Sequence, residues 1–327
     1  MYKIFITRHI PDAGPKALKE KGYQVDIYQK DDVIARKELL KRVKGCDALL
    51  SLLTDKIDEE VLKAAGPKLK IIANYAVGFD NVDLAAAKKY GVTVTNTPAP
   101  EVSETVAEHA MALLFALAHR IVESDHLTRQ GKYHGWNPNL LLGTDVTGKT
   151  LGVIGTGRIG MNLVRRLNEG FGIRTLYSDV KRNKELEKIS NAKFVTLNEL
   201  LMRSDFVSIH APLLPSTHHL ISTKQFRLMK KTAYLINTSR GSIVDSHALV
   251  QALKTKRIAG AALDVFEGEP AFALRRQDST YLQHAWSVIL TPHTASATIE
   301  ARQAMSKLAA DNIIAVLSGK PPLTPAK

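Results

Sequence analysis

The sequence predicts an α/β protein of two doubly wound parallel-sheet domains, and three observations carry that expectation. Short β runs alternate with helical patterns over the first hundred residues. After an apolar helical stretch and an irregular segment, the alternation resumes at residue 150 and runs to residue 290. A glycine-rich turn, Gly155-Thr156-Gly157-Arg158-Ile159-Gly160, opens the second series. Strand–helix alternation through short loops yields parallel sheets covered on both faces, because parallel neighbours need a helix-length crossover. The second domain is expected as an insertion in the first, spanning residues 100–296 between 1–99 and 297–327.

In the first region the β runs are 3–7, 24–28, 48–52, 70–74 and 92–96. Helices are expected over 15–21, 36–44, 58–64 and 83–90. Thr97-Pro98-Ala99-Pro100 reads as a break and hinge, since proline disfavours helix at the residue before it. One long helix is expected from Ser103 to Arg129, apolar on nearly every side between Val106 and Ile121. Such a helix belongs between layers, domains or subunits. Residues 131–148, with Trp136 and Pro138, form an irregular segment long enough to suggest an interface or a site. The second series of β runs is 151–154, 174–178, 193–195, 206–210, 233–237, 259–264 and 288–290, and a last helix is expected over 291–319.

At 327 residues the chain can bury two cores, and its 45% apolar and 24% charged content is that of an ordinary globular protein. The net charge of +13 raises the question of nucleic acid. The basic residues are scattered over helix faces (Lys16, Lys41, Lys188 and Arg257 are examples), without a helix-turn-helix or aromatic RNA-binding pattern. Solvated helix faces explain the charge, and no nucleic-acid partner is expected. Cys46 is the single cysteine, expected as a buried inert thiol, so there is no disulfide framework. The first residues read as a strand rather than a signal peptide, and the most apolar stretch, 110–118, is too short to cross a bilayer. No membrane partner and a cytoplasmic location are expected. His109 and His119 read as interface or core polar groups. His218 and His219 are adjacent and cannot both face one ion from a regular element, so no metal is expected.

The glycine turn follows the apolar run 150–154 and precedes a helical pattern, and Asp179 ends the next β run, 24 residues after Gly155. Gly155 permits the turn, Gly157 lets backbone approach a pyrophosphate, and Gly160 lets helix and strand pack closely. The helix start presents unpaired N–H groups and a positive dipole end to phosphates. A structural βα turn is the bland alternative. The flanking strand, the following helix and the spaced acid favour a dinucleotide site in a Rossmann-type domain.

Three later segments end β runs with polar residues: Asn237-Thr238-Ser239-Arg240-Gly241, Asp264-Val265-Phe266-Glu267-Gly268-Glu269-Pro270 and Thr291-Pro292-His293-Thr294-Ala295-Ser296. In doubly wound sheets ligands bind outside these carboxyl ends. An Arg can bind a carboxylate and polarise a carbonyl, and a His can donate a proton while a carboxylate holds it charged. Each has a plainer alternative: Arg240 as a helix cap or surface ion pair, Glu269 as a turn residue, His293 as a satisfied core histidine.

With these blocks, Tyr75-Ala76-Val77-Gly78-Phe79-Asp80-Asn81-Val82-Asp83 and His210-Ala211-Pro212-Leu213, the chain resembles the D-isomer-specific 2-hydroxyacid dehydrogenases, nearest to the glyoxylate/hydroxypyruvate reductase branch. The resemblance runs from about Lys3 to Lys320. It implies a flavodoxin-like substrate domain, a Rossmann NAD(P) domain, and reduction of a 2-oxo acid to the 2-hydroxy acid. Its catalytic set falls on Arg240, Glu269 and His293: a substrate clamp, a partner of the acid, and the general acid. Substrate contacts fall on Val77, Gly78, Trp136, Arg240 and Ser296, with closure of the two domains. Trp136 is similar to a residue that reaches a partner's pocket, which implies a homodimer; plain interface packing is its bland alternative. Cofactor contacts fall on Gly155, Gly157, Arg158, Ile159, Gly160, Asp179, Pro212, Thr238, Asp264 and Ala295.

Asp179 implies NADH over NADPH, because a carboxylate accepts from both ribose hydroxyls and repels a 2′-phosphate. Many reductase-branch members have Arg there; Lys181 and Arg182 are the nearby cations here. Thr294-Ala295 replaces the Ile/Leu-Gly usual after the catalytic His, and residues 271–287 are longer than usual. Related phosphite dehydrogenases share such an extension but carry Lys where Val77 stands. D-lactate and 3-phosphoglycerate dehydrogenase activities are further alternatives, the latter disfavoured by the lack of room for a regulatory domain after Lys327. A non-catalytic NAD(H)-sensing protein is the alternative from another class, and the intact Arg240, Glu269 and His293 set argues against it.

Overall fold

The computed structural model describes residues 1–268 and 276–326. The chain divides into two compact units, Met1–Val102 with Ala297–Lys327, and Ser103–Ser296. The first unit contains β1 (Lys3–Ile6), α1 (Ala13–Glu20), β2 (Gln24–Ile27), α2 (Arg36–Arg42), β3 (Ala48–Leu52), α3 (Glu59–Ala65), β4 (Ile71–Tyr75), α4 (Leu84–Lys89) and β5 (Thr93–Thr95). These strands pair in the order β2-β1-β3-β4-β5, all parallel, which is the flavodoxin-like order. Strand β4 is buried at every residue, and β2, at the edge, alternates between exposed and half-buried positions. A strand covered on both faces has no polar side to show, so its sequence is a near-continuous apolar run. Cys46 is buried, and burial pushes its thiol up to about 12, well away from reactivity.

The helix Pro100–Ala118 (α5) leaves the first unit and runs into the second, followed by α6 (Ile121–Arg129). The second unit continues with β6 (Thr150–Ile154), α7 (Arg158–Phe171), β7 (Arg174–Ser178), α8 (Lys184–Ser190), β8 (Lys193–Phe194), α9 (Leu197–Arg203) and β9 (Phe206–Ile209). Then follow α10 (Thr223–Leu228), β10 (Tyr234–Asn237), α11 (Ser246–Lys254), β11 (Gly260–Leu263), α12 (Arg276–His284) and β12 (Val288–Leu290). Its strands order as β12-β11-β10-β9-β6-β7-β8, again all parallel. Chain order reverses at β6, which places the switch-point crevice between the ends of β6 and β9. Helix α7 buries Gly160, Leu163, Val164 and Leu167, the spacing of one helical face.

The last helix, α13 (Ile299–Leu317), returns to the first unit. The Gly14 N–H donates to Ser306 Oγ at 2.9 Å, and a Cβ on Gly14 would lie 2.3 Å from the Ser306 carbonyl, so α1 and α13 touch backbone to backbone. The tail then pairs antiparallel beside β5, with Ala326 N–H donating to Val94 O at 2.9 Å.

Three expected boundaries differ. The single helix over 103–129 is two helices bent by 62°, and no single helix among the described residues is long and apolar enough to cross a membrane. Arg120 is left-handed, φ 52°, and its guanidinium grips both oxygens of Glu123 at 2.8 and 2.8 Å. The freed Ala118 carbonyl accepts from Thr144 N–H at 2.8 Å, so the irregular segment caps the break. Helix α5 also begins earlier, at Pro100, where a first-turn proline loses no hydrogen bond. The last helix begins at Ile299 rather than 291, behind Thr298, whose Oγ1 accepts from Ala301 N–H. Residues 291–298 are left as a loop.

Candidate active site

The glycine turn closes the crevice in a way only glycine allows. Gly155 has φ 89°, and a Cβ there would lie 2.7 Å from Ala211 N at the end of β9. A Cβ on Gly160 would lie 2.3 Å from Gly155 O, so the start of α7 rests directly on the turn. Gly157, the N-cap of α7, meets nothing within 4 Å: that face is open. Arg158 is exposed and Ile159 half-buried on the first turn of α7, a helix with no acid in that turn. The Thr238 hydroxyl, at the neighbouring end of β10, is buried without a partner among the described residues. An open helix N-terminus over a glycine cradle, with an orphaned hydroxyl nearby, fits a dinucleotide. Pro212 lies on a loop folded back by Thr217, whose Oγ1 donates to Pro212 O at 2.7 Å.

Asp179 stands at the end of β7. Its Oδ2 accepts from Thr156 N–H and Thr156 Oγ1 at 2.7 and 2.8 Å, and its Oδ1 from Val180 N–H at 2.7 Å. One acceptor position on Oδ1 remains for a donor such as a ribose hydroxyl. Of the nearby cations, Arg182 is paired: its Nε donates to Glu187 at 2.8 and 3.0 Å. That hydrogen bond and charge hold Arg182 above and Glu187 below their ordinary values. Lys181 is exposed.

Past the carboxyl ends of β10, β11 and β12, backbone hydrogen bonds stitch the three polar segments together. Asp264 N–H donates to Asn237 O at 3.0 Å, and His293 N–H to Asp264 O at 2.9 Å. Arg240 is half-buried; its Nη1 donates to Ser239 O at 2.9 Å, and its own carbonyl accepts from the Asn237 side chain at 2.9 Å. A Cβ on the next residue, Gly241, would lie 2.2 Å from the Phe266 carbonyl carbon, so the β10 and β11 loops are in backbone contact. His293 is left-handed, φ 55°. Its loop is wrapped around the buried Asp264 carboxylate, which accepts from Thr291 Oγ1 (2.6 Å), Thr294 N–H (2.8 Å) and Ala295 N–H (2.8 Å). His109, on α5, lies with Nε2 3.2 Å from Thr291 Oγ1. The Thr291 proton is already given to Asp264, so His109 Nε2 is the donor in that contact. Ser296 is half-buried on the same loop, and Glu269 lies outside the described residues.

In the first unit, Val77 and Gly78 follow β4. Thr97 N–H donates to Ala76 O at 2.8 Å, Asn96 Nδ2 to Val77 O at 2.6 Å and Asn74 Nδ2 to Gly78 O at 3.1 Å. Asn81 completes the frame, donating to Leu52 O and Asp55 O at 3.0 and 2.9 Å. Every carbonyl of the loop is tied down, whereas the N–H groups of Val77 and Gly78 have no partner among the described residues. Two adjacent N–H groups without a protein partner are donors available to an anion.

Sequence reading assigned no role to most of the residues that hold these loops, Asn74, Asn81, Asn96, Gly241 and Thr291, whereas His109, expected as an interface or core polar group, is half-buried against Thr291. One signal was available. Asn74 interrupts the apolar run of a doubly covered strand and is fully buried, and a buried amide requires partners. Trp136 stands apart from all of them, 83% exposed on the segment that leaves α6. Helix α6 has no buried residue, and Val122, Leu142 and Trp286 are exposed around a cavity of about 490 Å³ also lined by Leu117 and Tyr234.

A family model described as D-isomer specific 2-hydroxyacid dehydrogenase, NAD binding domain, matches residues 111–295. The chain is 48% identical to the glyoxylate reductase of Korarchaeum cryptofilum, over 98% of this chain and 94% of that protein. A solved protein structure from Thermus thermophilus superposes with a TM-score of 0.91 at 39% identity, covering 99% of this chain and all of that one. An NADPH-dependent glyoxylate/hydroxypyruvate reductase from Sinorhizobium meliloti superposes with a TM-score of 0.84 at 31% identity, covering 100% of this chain and 98% of that one.

Proposed function

We propose that this chain, which belongs to the D-isomer-specific 2-hydroxyacid dehydrogenases, reduces a small 2-oxo acid of the glyoxylate or hydroxypyruvate type. The bound nicotinamide dinucleotide supplies the hydride for the keto carbon. Arg240 binds the substrate carboxylate and carbonyl oxygens and stabilises the developing alkoxide. His293 gives that oxygen its proton. Glu269 is the carboxylate partner that orients His293, so Glu269→Gln slows reduction. The N–H groups of Val77 and Gly78 donate to the substrate carboxylate, and Ser296 lines the same site. Gly155, Gly157, Arg158, Ile159 and Gly160 hold the pyrophosphate, Asp179 the adenosine ribose, and Pro212, Thr238 and Ala295 the cleft; Asp264, expected on the carboxamide, is buried and instead shapes the loop that carries His293 and Ala295.

The observation that carries this reading is the row of hydrogen bonds that sets Arg240, Asp264 and His293 at the ends of adjacent strands. Steady-state rates with glyoxylate and with acetaldehyde test it. Glyoxylate is the far better substrate, because acetaldehyde lacks the carboxylate; equal efficiencies would remove the clamp and the 2-oxo acid with it.

NADH is the preferred cofactor. Asp179 would hold the adenosine ribose, and Arg182, which would pair with a 2′-phosphate, is held by Glu187. A 2′-phosphate beside Asp179 is disfavoured by about 1–4 kcal/mol. Wild type is therefore faster with NADH in kcat/KM, and Asp179→Ala erases the preference; faster turnover with NADPH in wild type would overturn the assignment.

The chain acts in the cytoplasm as a homodimer on small molecules, without nucleic acid or membrane. The bare apolar side of α6, with Trp136, is the pairing face, and Trp136 reaches the partner's pocket. Light scattering reads a dimer, and Trp136→Ala weakens it.

A further inference from the structure

The segment after β9 and the loop after β11 meet at a cluster that the reductase chemistry leaves unused. His218 and His219 lie in a turn held by Thr217 N–H and His218 N–H, which both donate to Leu214 O at 3.0 Å. His219 is left-handed, φ 51°, and its N–H is anchored to Ser242 O at 2.8 Å. That conformation places two neighbouring side chains on one side: the imidazoles stack with centroids 4.0 Å apart and 26° between planes. The expectation that adjacent histidines cannot share an ion assumed a regular element, and this segment is a turn. Glu267 supplies a third donor. Its Oε1 lies 2.6 Å from His219 Nε2, while its Oε2 is fixed by Ser246 N–H at 3.0 Å. One ligand atom from each of the three residues falls within 4.8 Å of the other two.

We propose that His218, His219 and Glu267 form a binding site for one divalent transition-metal ion of the zinc class. Two imidazoles and a carboxylate suit zinc, nickel or copper, whereas magnesium and calcium require oxygen donors. A tetrahedral ion at bonds of about 2.1 Å places its donors roughly 3.4 Å apart. The cluster must therefore contract by at most about 1.4 Å, since no two of the donors lie more than 4.8 Å apart. The exposed His218 ring can supply that movement, since no hydrogen bond or ion pair among the described residues holds it and it only stacks on His219. The other two ligands are already oriented by backbone groups, the support that metal sites need around the ligands themselves. The ion replaces the His219–Glu267 hydrogen bond and ties the 214–219 turn to the loop that abuts Gly241. It touches no reacting atom, so its effect is on the stiffness of the loops beside Arg240.

The test uses tag-free full-length protein treated with EDTA, titrated with zinc chloride by calorimetry and checked by metal analysis after dialysis. Wild type takes up one zinc per chain with a dissociation constant in the micromolar range, and magnesium chloride in excess does not displace it. His218→Ala, an exposed change outside the catalytic set, weakens binding at least tenfold while leaving glyoxylate reduction unchanged. Zinc raises the melting temperature of wild type and not of His218→Ala. Wild type without stoichiometric zinc, or His218→Ala binding it as tightly as wild type, would overturn the site. So would equal melting shifts in the two proteins.

Discussion

The loop after β4 and the loop after β12 both leave the carboxyl edge of a parallel sheet, yet they are built by opposite rules. Around Val77 and Gly78 the side chains of Asn74 and Asn96 occupy the carbonyls, so the N–H groups are what the loop presents. Around His293 the buried Asp264 carboxylate occupies the N–H groups of Thr294 and Ala295, so a side chain is what the loop presents. The first is suited to a fixed anion and the second to a moving proton. A carboxylate does not change through the reaction and is well served by rigid backbone dipoles. A proton must be given up, and only a titrating side chain can do that.

The comparison breaks most visibly at the proton. His293→Ala is expected to lower kcat by about a thousandfold, within the usual span for a general acid, while NADH binding measured by fluorescence quenching stays near wild type. If reduction survives with a small loss, the loop after β12 has another job. Arg240→Ala is expected to remove about 3 kcal/mol of transition-state stabilisation, roughly a hundredfold or more in kcat/KM. Arg240→Lys keeps the charge but not the planar fork, so KM rises and kcat falls together.

The next effect is on the frame of the His293 loop. Thr291 Oγ1 sits between Asp264 and His109, at 2.6 and 3.2 Å. Thr291→Val keeps the shape and removes both contacts. A loss of about tenfold in kcat is expected, with KM little changed, because loop misplacement acts on proton transfer more than on binding. Thr291→Ser restores the hydroxyl and should restore the rate; a serine variant as slow as the valine one would show that the methyl, not the hydrogen bonds, matters.

These two loops were not equally legible in the sequence. Arg240 and His293 stand out because they are charged or titratable residues at the ends of apolar runs, and their chemistry belongs to their side chains. The 76–78 loop has no such mark. Its chemistry belongs to the backbone, and the residues that expose it, Asn74 and Asn96, act by donating to carbonyls rather than through a charge of their own. Both parallel sheets followed from period and spacing alone. The break at Arg120 did not, because a left-handed residue inside an apolar helical pattern depends on Glu123 and Thr144 rather than on propensity. The loop over 291–298 reads as helix in the sequence for the same reason: Asp264, a residue from another strand, decides its shape.

A smaller effect is expected from the other loop. Asn74→Ala frees Gly78 O and removes an acceptor from Asn81. KM for glyoxylate is expected to rise about fivefold with kcat within about twofold, the signature of lost ground-state grip on the carboxylate. KM for NADH, read in the same assay, stays unchanged. A fall in kcat with unchanged KM would instead mean that the loop after β4 shares in the chemical step.

The smallest effect separates the two units by acid. Burial pushes His210, at the end of β9, down to about 4 from its ordinary 6.5, so the folded second unit holds it neutral. Between pH 6.5 and 4 the unfolded chain takes up a proton that the folded unit does not, and stability falls with pH; below about 4 both states are protonated and the loss stops. Going from pH 7 to 5.5 this amounts to about 1 kcal/mol. In the first unit the buried Asp55 has the opposite sign. Burial raises its carboxyl above the ordinary value, so its contribution is full at low pH and is lost as pH rises through the folded value. Acidification should therefore loosen the second unit before the first. Both tryptophans, Trp136 and Trp286, lie in the second unit, so tryptophan fluorescence follows its unfolding selectively. The fluorescence midpoint in urea should drop between pH 7 and 5.5 in wild type and drop less in His210→Gln. An equal drop in both proteins would assign the acid sensitivity to another group and remove the contrast between the units.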